Sequence, residues 1–379
     1  MAKRGKGGSF FGRIVLPLLI LGGLSLYALY LLTQKSRPKT PAETGLVSNP
    51  AAGTVLYEVP RHISLSALAH DLQSKGLIPN ATVFRIFLRV SGRDKKIRAG
   101  YYYVNPSNSA MDMAWKLTSG KMATCLVTIP EGKTSWEIFS ILKARFPLDS
   151  TAWDSLVHSP AFAAACQVKS PTLEGYLFPE TYTLPLRISE ADLIKVMVRR
   201  FREVTREFEL KSPMVEKYGA HGWLTLASIV EKEAAVPAEQ DLIAGVFYNR
   251  LNQGWSLGAD PTVRFALRKL TGPLYVSELD NNSPYNTRKF IGLPPGPICN
   301  PGKGALKAAL NPMATPMMFF VAKDDGSREH FFSIDFPGHN RFKAEAAANR
   351  QKRTPPKPVK GKGAKTQPIP AAAKQRKGA

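Results

Sequence analysis

The hydrophobic pattern begins with a long apolar run near the N-terminus. Residues 14–32 contain no charged side chain, and a helix over them would cross roughly 28 Å of hydrocarbon at ~1.5 Å per residue. The run is longer than the core of a signal peptide, and no small-x-small cleavage site follows it directly. It therefore predicts one retained transmembrane helix, with a cleavable signal peptide as the alternative.

Shorter strand and helix patterns follow from about residue 54. Glu58 and Thr128 each stand in a short strand-like stretch, which is followed by a turn and an amphipathic helix. Between them, residues 83–90 favour a helix and residues 100–104 favour a strand. The pattern predicts an α+β module and resembles LysM-type glycan-binding repeats. A spacer domain is the alternative interpretation.

The C-terminal half of the chain alternates amphipathic helices with a hairpin. Helical periodicity covers residues 189–210, 222–235 and 238–252. Residues 317–323 and 329–334 favour two strands around an Asp-Asp-Gly-Ser turn. This alternation predicts an α+β fold rather than a doubly wound sheet.

The helix predicted over residues 222–235 carries two carboxylates in an apolar sequence. Residues two apart on a helix point about 200° apart, so Glu231 and Glu233 should have different surroundings. Glu233 shares its face with Ile229 and Val230, which should desolvate its carboxyl group and raise its pKa, as a general acid near neutral pH requires. The spacing is equally compatible with a solvated Glu-Lys-Glu run on a surface helix.

The net charge of +23 is concentrated at the two ends of the chain. Basic residues without any acidic one precede the apolar run, which predicts a cytoplasmic N-terminus and an exported remainder. Residues 351–379 are rich in Lys, Arg and Pro and have no acidic residue, so they predict a disordered tail. This tail either only solubilises the protein or contacts anionic lipid headgroups, wall polymers or an acidic protein. Charge that lies mostly in tails argues against nucleic-acid binding.

The three cysteines, Cys125, Cys166 and Cys299, show no CxxC spacing. The sequence therefore suggests no zinc site, and we expect no metal or cofactor. We interpret the cysteines as small buried residues, although their number also permits one disulfide and one free thiol.

Six segments of the chain together resemble one known family. They are LEGYLFPETY at 173–182, ASIVEKE at 227–233, VFYNRL at 246–251, DPTV at 260–263, SPYNT at 283–287 and GLPPGPI at 292–298. In composition and order they resemble the MltG (YceG-like) family of membrane-anchored endolytic murein transglycosylases. The basic tail lies outside this resemblance.

Pattern and resemblance together predict six consecutive regions. They are a cytoplasmic N-terminus (1–13), a transmembrane helix (14–32), a linker (33–53), a LysM-like α+β module (54–145), an α+β YceG-like catalytic domain (146–345) and a disordered basic tail (346–379). The expected location is the bacterial inner membrane, with the catalytic domain outside the cytoplasm.

The resemblance implies cleavage of the β-1,4 bond between N-acetylmuramic acid and N-acetylglucosamine in nascent glycan strands, without water, to leave a 1,6-anhydro-muramyl end. A single carboxylic acid can protonate the leaving oxygen and then, as carboxylate, take the proton of the muramyl 6-hydroxyl. The resemblance assigns this role to Glu233 and a supporting role to Glu231. It also shows Ala234 where the family often has a hydroxyl residue, which leaves the effect of Ala234 on catalysis open.

Polar residues inside the six segments are candidates for contacts to sugar hydroxyls and acetamides. The candidates are Glu174, Tyr176, Asn249, Asp260, Thr262, Tyr285, Asn286 and Thr287. Each has a structural alternative, such as a turn at Asp260 or a helix cap at Asn249.

Two other functions stay open on sequence grounds. One is a hydrolytic muramidase, in which Glu174 or Asp260 would activate water. The other is a non-catalytic cell-wall-binding scaffold. The expected partners are peptidoglycan glycan strands, the membrane, and peptidoglycan synthases or division proteins.

Overall fold

The computed structural model describes residues 8–35, 47–49 and 53–353. The chain divides into two compact units. The first unit consists of Met1–Glu209 with Pro297–Gly302, and the second consists of Leu210–Gly296 with Lys303–Ala379. Both units combine helices with small antiparallel sheets, which confirms the predicted α+β class.

The first unit begins with the helix Gly8–Thr33, which contains the apolar run. Its segment Leu16–Thr33 is the one stretch of the described residues that is long and apolar enough to cross a membrane. Most of its large apolar side chains are exposed, whereas Leu32 is buried with the core of the module that follows. The basic residues predicted to fix its orientation lie mainly in residues 1–7, outside the described part of the chain.

A three-stranded antiparallel sheet and three helices form the next part of the first unit. The strands are Val47–Asn49, Thr54–Val59 and Gly100–Val104, and the helices are Leu65–Ser74, Ala81–Val90 and Ala110–Thr118. Ser64, Asn80 and Ser109 cap these helices, because each side-chain oxygen accepts a hydrogen bond from the first turn. The buried rings of Tyr57 and Phe84 belong to the shared core.

The strand Val47–Asn49 was not predicted, because it lies in the segment interpreted as an extended linker. Three residues are too few to show the alternation by which a strand is identified. Of the predicted linker, residues 36–46 and 50–52 lie outside the described residues.

The remainder of the first unit is built on a second strand pair, Thr124–Thr128 with Thr181–Pro185. Four helices accompany it: Ser135–Lys143, Ser150–Val157, Pro160–Ala165 and Glu190–Thr205. The pair joins one strand from each side of residue 145, where the sequence predicts a domain boundary. A local hydrophobic pattern does not report which distant strand a strand pairs with, so this pairing is visible only in the structure.

The second unit is mainly helical and contains the Glu-Lys-Glu segment. Its helices are Pro213–Glu233, Gln240–Asn252, Asp260–Ala266, Val276–Leu279, Lys303–Leu310 and Phe336–Arg353. The predicted hairpin is present as the antiparallel strands Phe319–Ala322 and His330–Ser333. The first helix starts earlier than predicted, and a kink at Gly219, with φ of 70°, separates its two parts. Glycine adopts this left-handed conformation without a steric cost.

Two further details differ from or extend the sequence interpretation. The last helix runs to Arg353, so residues 346–353 are helical although they were predicted to be part of the disordered tail. Residues 354–379 lie outside the described residues. Among the described residues no disulfide joins any of the three cysteines; Cys166 and Cys299 are buried and Cys125 is half-buried.

Candidate active site

Glu233 is the last residue of the helix Pro213–Glu233. The preceding turns are deeply buried, since every residue of the stretch 222–230 is buried. Trp223 anchors the helix by donating a hydrogen bond from Nε1 to the backbone oxygen of Leu306 at 2.9 Å. A rigid buried helix therefore holds Glu233 at a fixed position at its end.

A cavity of about 270 Å³ opens beside Glu233. Four helices, the hairpin and two loops of the second unit contribute to its walls. The lining residues are Glu233, Phe247, Arg250, Leu257, Gly258, Asp260, Arg288, Phe320 and His339. The cavity thus combines two carboxyl groups, two guanidinium groups and one imidazole with an apolar frame, which is the composition expected of a site for a polar ligand.

The carboxyl group of Glu233 is half-buried and borders this cavity. Burial is the main cause that raises its pKa to about 7, and the negative charge of Asp260 acts in the same direction. The positive charges of Arg250 and Arg288 act in the opposite direction. Among the described residues, none donates a hydrogen bond to this carboxyl group. Glu233 therefore keeps a transferable proton near neutral pH.

Arg250 is held next to Glu233 by two backbone carbonyl groups. Its Nε donates to the oxygen of Met318 at 2.8 Å, and its Nη1 donates to the oxygen of Leu257 at 2.6 Å. Burial lowers its pKa and Glu233 raises it, but a guanidinium group stays charged in proteins. Arg250 is therefore a fixed positive charge that favours the carboxylate form of Glu233.

Asp260 and Arg288 form an ion pair at the rim of the cavity. Nη1 of Arg288 lies 2.7 Å from Oδ1 of Asp260, and the two side chains are 42% and 52% exposed, respectively. Water and salt screen such a pair, so it contributes little to stability. Its effect on Glu233 is electrostatic, because it places one charge of each sign beside the acid.

Two of the residues predicted to form the site, Glu233 and Asp260, line this cavity. Thr262 and Thr287 do not, because they are buried with 2.9 Å between their hydroxyl oxygens. The hydroxyl of Thr262 donates to the backbone oxygen of Ala259 at 2.6 Å, and the Ala259 N–H donates to the hydroxyl of Thr287 at 3.1 Å. The two threonines therefore fix the backbone directly ahead of Asp260.

Asn249 and Asn286 bind the backbone as well. Nδ2 of Asn249 donates to the oxygens of Thr315 and Met317 at 2.7 and 3.0 Å. Asn286 is fully buried and makes two such bonds within its own loop. The structure gives both residues a scaffolding role rather than a place on the cavity wall.

Glu231 and Tyr285 also lie outside the cavity lining. Glu231 is half-buried near the end of its helix, on a different face from Glu233. The ring of Tyr285 packs against Phe265, with 4.9 Å between ring centroids.

Glu174 and Tyr176 belong to the first unit and are buried there. The carboxylate of Glu174 accepts hydrogen bonds from Oγ of Ser135 at 2.7 Å and from Nδ2 of Asn300 at 2.9 Å. Burial raises the pKa of Glu174 to about 7, and its bonds to Ser135 act against this rise. Tyr176 packs edge-on against Phe201, at 5.2 Å between centroids. Both residues have structural partners within the first unit.

Three polar residues of the cavity, Arg250, Arg288 and His339, were not predicted. Arg250 lies inside VFYNRL and Arg288 directly follows SPYNT, so the segments pointed to their neighbourhood. The sequence around His339 has no comparable signal. Across residues 8–35, 47–49 and 53–353, no three His, Cys, Asp or Glu side chains come together in a group that could hold a metal ion.

The chain belongs to the YceG-like family, whose family model matches residues 57–345. This match covers most of the chain and confirms the resemblance carried by the six segments.

Named relatives are similar over most of the chain. A Bacillus subtilis protein named endolytic murein transglycosylase is 30% identical over 352 residues, which cover 88% of this chain and 93% of the relative. A Streptococcus pneumoniae protein of the same name is 29% identical over 77% of this chain and 58% of the relative. The crystal structure of a yceG-like protein from Listeria monocytogenes has 31% identity and a TM-score of 0.50, and the match covers 76% of this chain and 98% of that one.

Proposed function

We propose that this chain is an endolytic murein transglycosylase in which Glu233 is both the general acid and the general base. Its substrate is the bond between N-acetylmuramic acid and N-acetylglucosamine within nascent glycan strands. One observation carries the assignment: Glu233 is a desolvated carboxyl group with a pKa of about 7 that borders a polar cavity. The names of its relatives support the same reaction class.

In the first step, the proton of Glu233 moves to the glycosidic oxygen, and the bond from this oxygen to C1 of the muramyl residue breaks. The leaving strand departs with a free hydroxyl group, and positive charge develops at C1. Arg250 lowers the energy of the new carboxylate, because its fixed guanidinium lies nearby.

In the second step, the carboxylate of Glu233 takes the proton of the muramyl 6-hydroxyl, and the oxygen closes on C1. This forms the 1,6-anhydro ring and regenerates protonated Glu233. The atoms balance without water, so the chemistry needs no second carboxylate.

The hydrolytic alternative needs a second carboxylate that is free to activate water. Asp260 lines the cavity, but it is ion-paired with Arg288 at 2.7 Å. Glu174 is buried and accepts several hydrogen bonds in the first unit. These contacts favour the transglycosylase over the muramidase.

We further propose that the helix Gly8–Thr33 anchors the protein in the inner membrane, with the remainder outside the cytoplasm. Its apolar segment is long enough to span a bilayer. The strand–helix–helix–strand order between Thr54 and Val104 supports a LysM-like, glycan-binding role for the module. An anchored enzyme of this kind would terminate strands beside the synthases that make them.

The test uses the full chain in detergent micelles with uncrosslinked glycan strands as substrate. Wild type should release products with anhydro-muramyl ends, which mass spectrometry distinguishes from hydrolytic products because they are lighter by one water. Glu233→Gln should lose activity, whereas Glu216→Gln, an exposed carboxylate on the same helix, should retain it. Hydrolytic products would indicate the muramidase, and glycan binding without cleavage by wild type would indicate the scaffold.

A further inference from the structure

His339 is the one histidine on the wall of the cavity that contains Glu233. It lies in the first turn of the helix Phe336–Arg353, and its backbone N–H donates to the oxygen of Asp335 at 3.1 Å. Its ring stacks on Phe319, with 5.2 Å between centroids and 25° between planes. The ring is therefore held in a defined orientation by the helix and by the hairpin.

The two ring nitrogens of His339 have different surroundings. Nδ1 is fully enclosed, and no described residue forms a hydrogen bond with it. Nε2 is not enclosed in this way, so of the two ring nitrogens it is the one that a ligand in the cavity lined by His339 can reach. A buried N–H group without a partner is rarer in proteins than a buried acceptor without one. The proton of a neutral imidazole is therefore best assigned to Nε2.

Nearby charges favour the neutral form of this imidazole. Burial lowers the pKa of His339, and the positive charges of Lys343 and Arg250 lower it further. Arg250 approaches from the opposite element, where its guanidinium lies over the ring of Phe319 at 5.4 Å. His339 thus presents one N–H donor, and no positive charge, to the cavity near neutral pH.

We propose that His339 binds the substrate directly, by donating a hydrogen bond from Nε2 to an uncharged oxygen of the sugar next to Glu233. A hydroxyl or an acetamide carbonyl is the chemical class of acceptor that a neutral N–H donor fits. The contact would orient the sugar ring relative to the proton of Glu233, since both side chains border the same cavity. This inference rests on the function proposed above.

The experiment separates the hydrogen bond from the ring stacking. His339→Phe keeps an aromatic ring against Phe319 and removes the donor, whereas His339→Gln removes the ring and keeps an N–H donor. Both are made in the full chain on a Glu233→Gln background, and binding of uncrosslinked glycan oligomers is measured by titration calorimetry. His158→Phe, which changes an exposed histidine of the first unit, is the matched control.

We expect His339→Phe to weaken binding about tenfold, the size of one hydrogen bond to a neutral group. His339→Gln should recover most of this loss, and His158→Phe should bind as the background does. In otherwise wild-type protein, His339→Phe should raise KM more than it lowers kcat, with an unchanged melting temperature.

The proposal would be overturned if His339→Phe and the Glu233→Gln background bound glycan with equal affinity. It would also be overturned if His339→Gln lost as much affinity as His339→Phe. Absence of glycan binding by the Glu233→Gln protein would overturn it too. If the wild-type protein binds glycan but releases no anhydro product, the proposed reaction is refuted. The comparison of glycan affinities between the His339 variants and their background still decides the role of His339.

Discussion

The charges around Glu233 predict that two single variants shift the pH dependence of activity in opposite directions. In the proposed mechanism Glu233 has to carry its proton when substrate binds, so activity should be full below its pKa of about 7 and should fall as the pH rises through that value. Asp260→Asn removes a negative charge that raises this pKa, so the fall should move to lower pH. Arg288→Gln removes a positive charge that lowers it, so the fall should move to higher pH.

The size of each shift follows from Coulomb's law and the exposure of the ion pair. Two unit charges about 4 Å apart interact by about 1 kcal/mol in water and by about 4 kcal/mol at an effective dielectric constant of ~20, and by less at longer distances. Because Asp260 and Arg288 are 52% and 42% exposed, the lower part of this range applies. About 1 kcal/mol corresponds to ~0.7 pH unit. The midpoint should therefore fall by less than about one pH unit in Asp260→Asn and rise by a similar amount in Arg288→Gln.

The assay is the initial rate of anhydro-product release between pH 5 and pH 9 at low ionic strength. The double variant with Asp260→Asn and Arg288→Gln should have a midpoint near that of wild type, because the two charges act in opposite directions on the pKa of Glu233. High salt should shrink both single shifts, since it screens exposed charges. Midpoints of both single variants that shift in the same direction, with melting temperatures equal to that of wild type, would refute the electrostatic effects assigned to Asp260 and Arg288. Midpoints that all stay at the wild-type value would also refute them.

Three further predictions concern residues that stabilise the fold. Glu174→Gln should lower the free energy of unfolding by about 1–3 kcal/mol without changing kcat, because the amide N–H₂ of the new side chain would face the Ser135 donors. Thermal unfolding and initial rates measure the two quantities. A loss of kcat in well-folded protein would contradict the prediction. Gly245→Ala should destabilise the protein by about 1–3 kcal/mol although alanine favours helices, because the added Cβ would lie 2.3 Å from the backbone oxygen of Met313. A raised denaturation midpoint would contradict this, since it would show that the backbone at Met313 can move away from the added Cβ. Thr262→Val should lower the free energy of unfolding in urea by about 1–2 kcal/mol, since the substitution removes a buried hydroxyl donor. An unchanged urea midpoint would contradict the structural role assigned to Thr262.

Hydrophobic periodicity predicted most of the helices and strands, and it did so because their buried faces are local in sequence. The strand Gly100–Val104 has the predicted bounds, and the helix Gln240–Asn252 starts within two residues of its predicted start. Pairing between distant strands has no local pattern. The strand Thr181–Pro185 was not predicted, and neither was its pairing with Thr124–Thr128 across the predicted boundary at residue 145.

The candidate site shows the same division between local and long-range information. Residues on its own helix predicted apolar surroundings for Glu233, and burial is the main cause that raises its pKa in the structure. Asn249 shares a motif with the cavity residue Arg250, and Thr287 directly precedes the cavity residue Arg288. The polar groups of Asn249 and Thr287 nevertheless bind the protein itself. His339 comes to the cavity from a helix about a hundred residues later in the chain, and only the tertiary structure brings it there.

A pKa near 7 suits a residue that has to act first as an acid and then as a base. If burial and Asp260 acted alone, Glu233 would bind its proton too tightly to give it to a weakly basic glycosidic oxygen. If Arg250 and Arg288 acted alone, the carboxylate would be too weak a base to take the proton of the sugar hydroxyl. The opposing charges therefore balance two requirements in one side chain. In the proposed mechanism, this balance gives the ion pair of Asp260 and Arg288 a purpose beside a single acid, where a hydrolase would need a second free carboxylate.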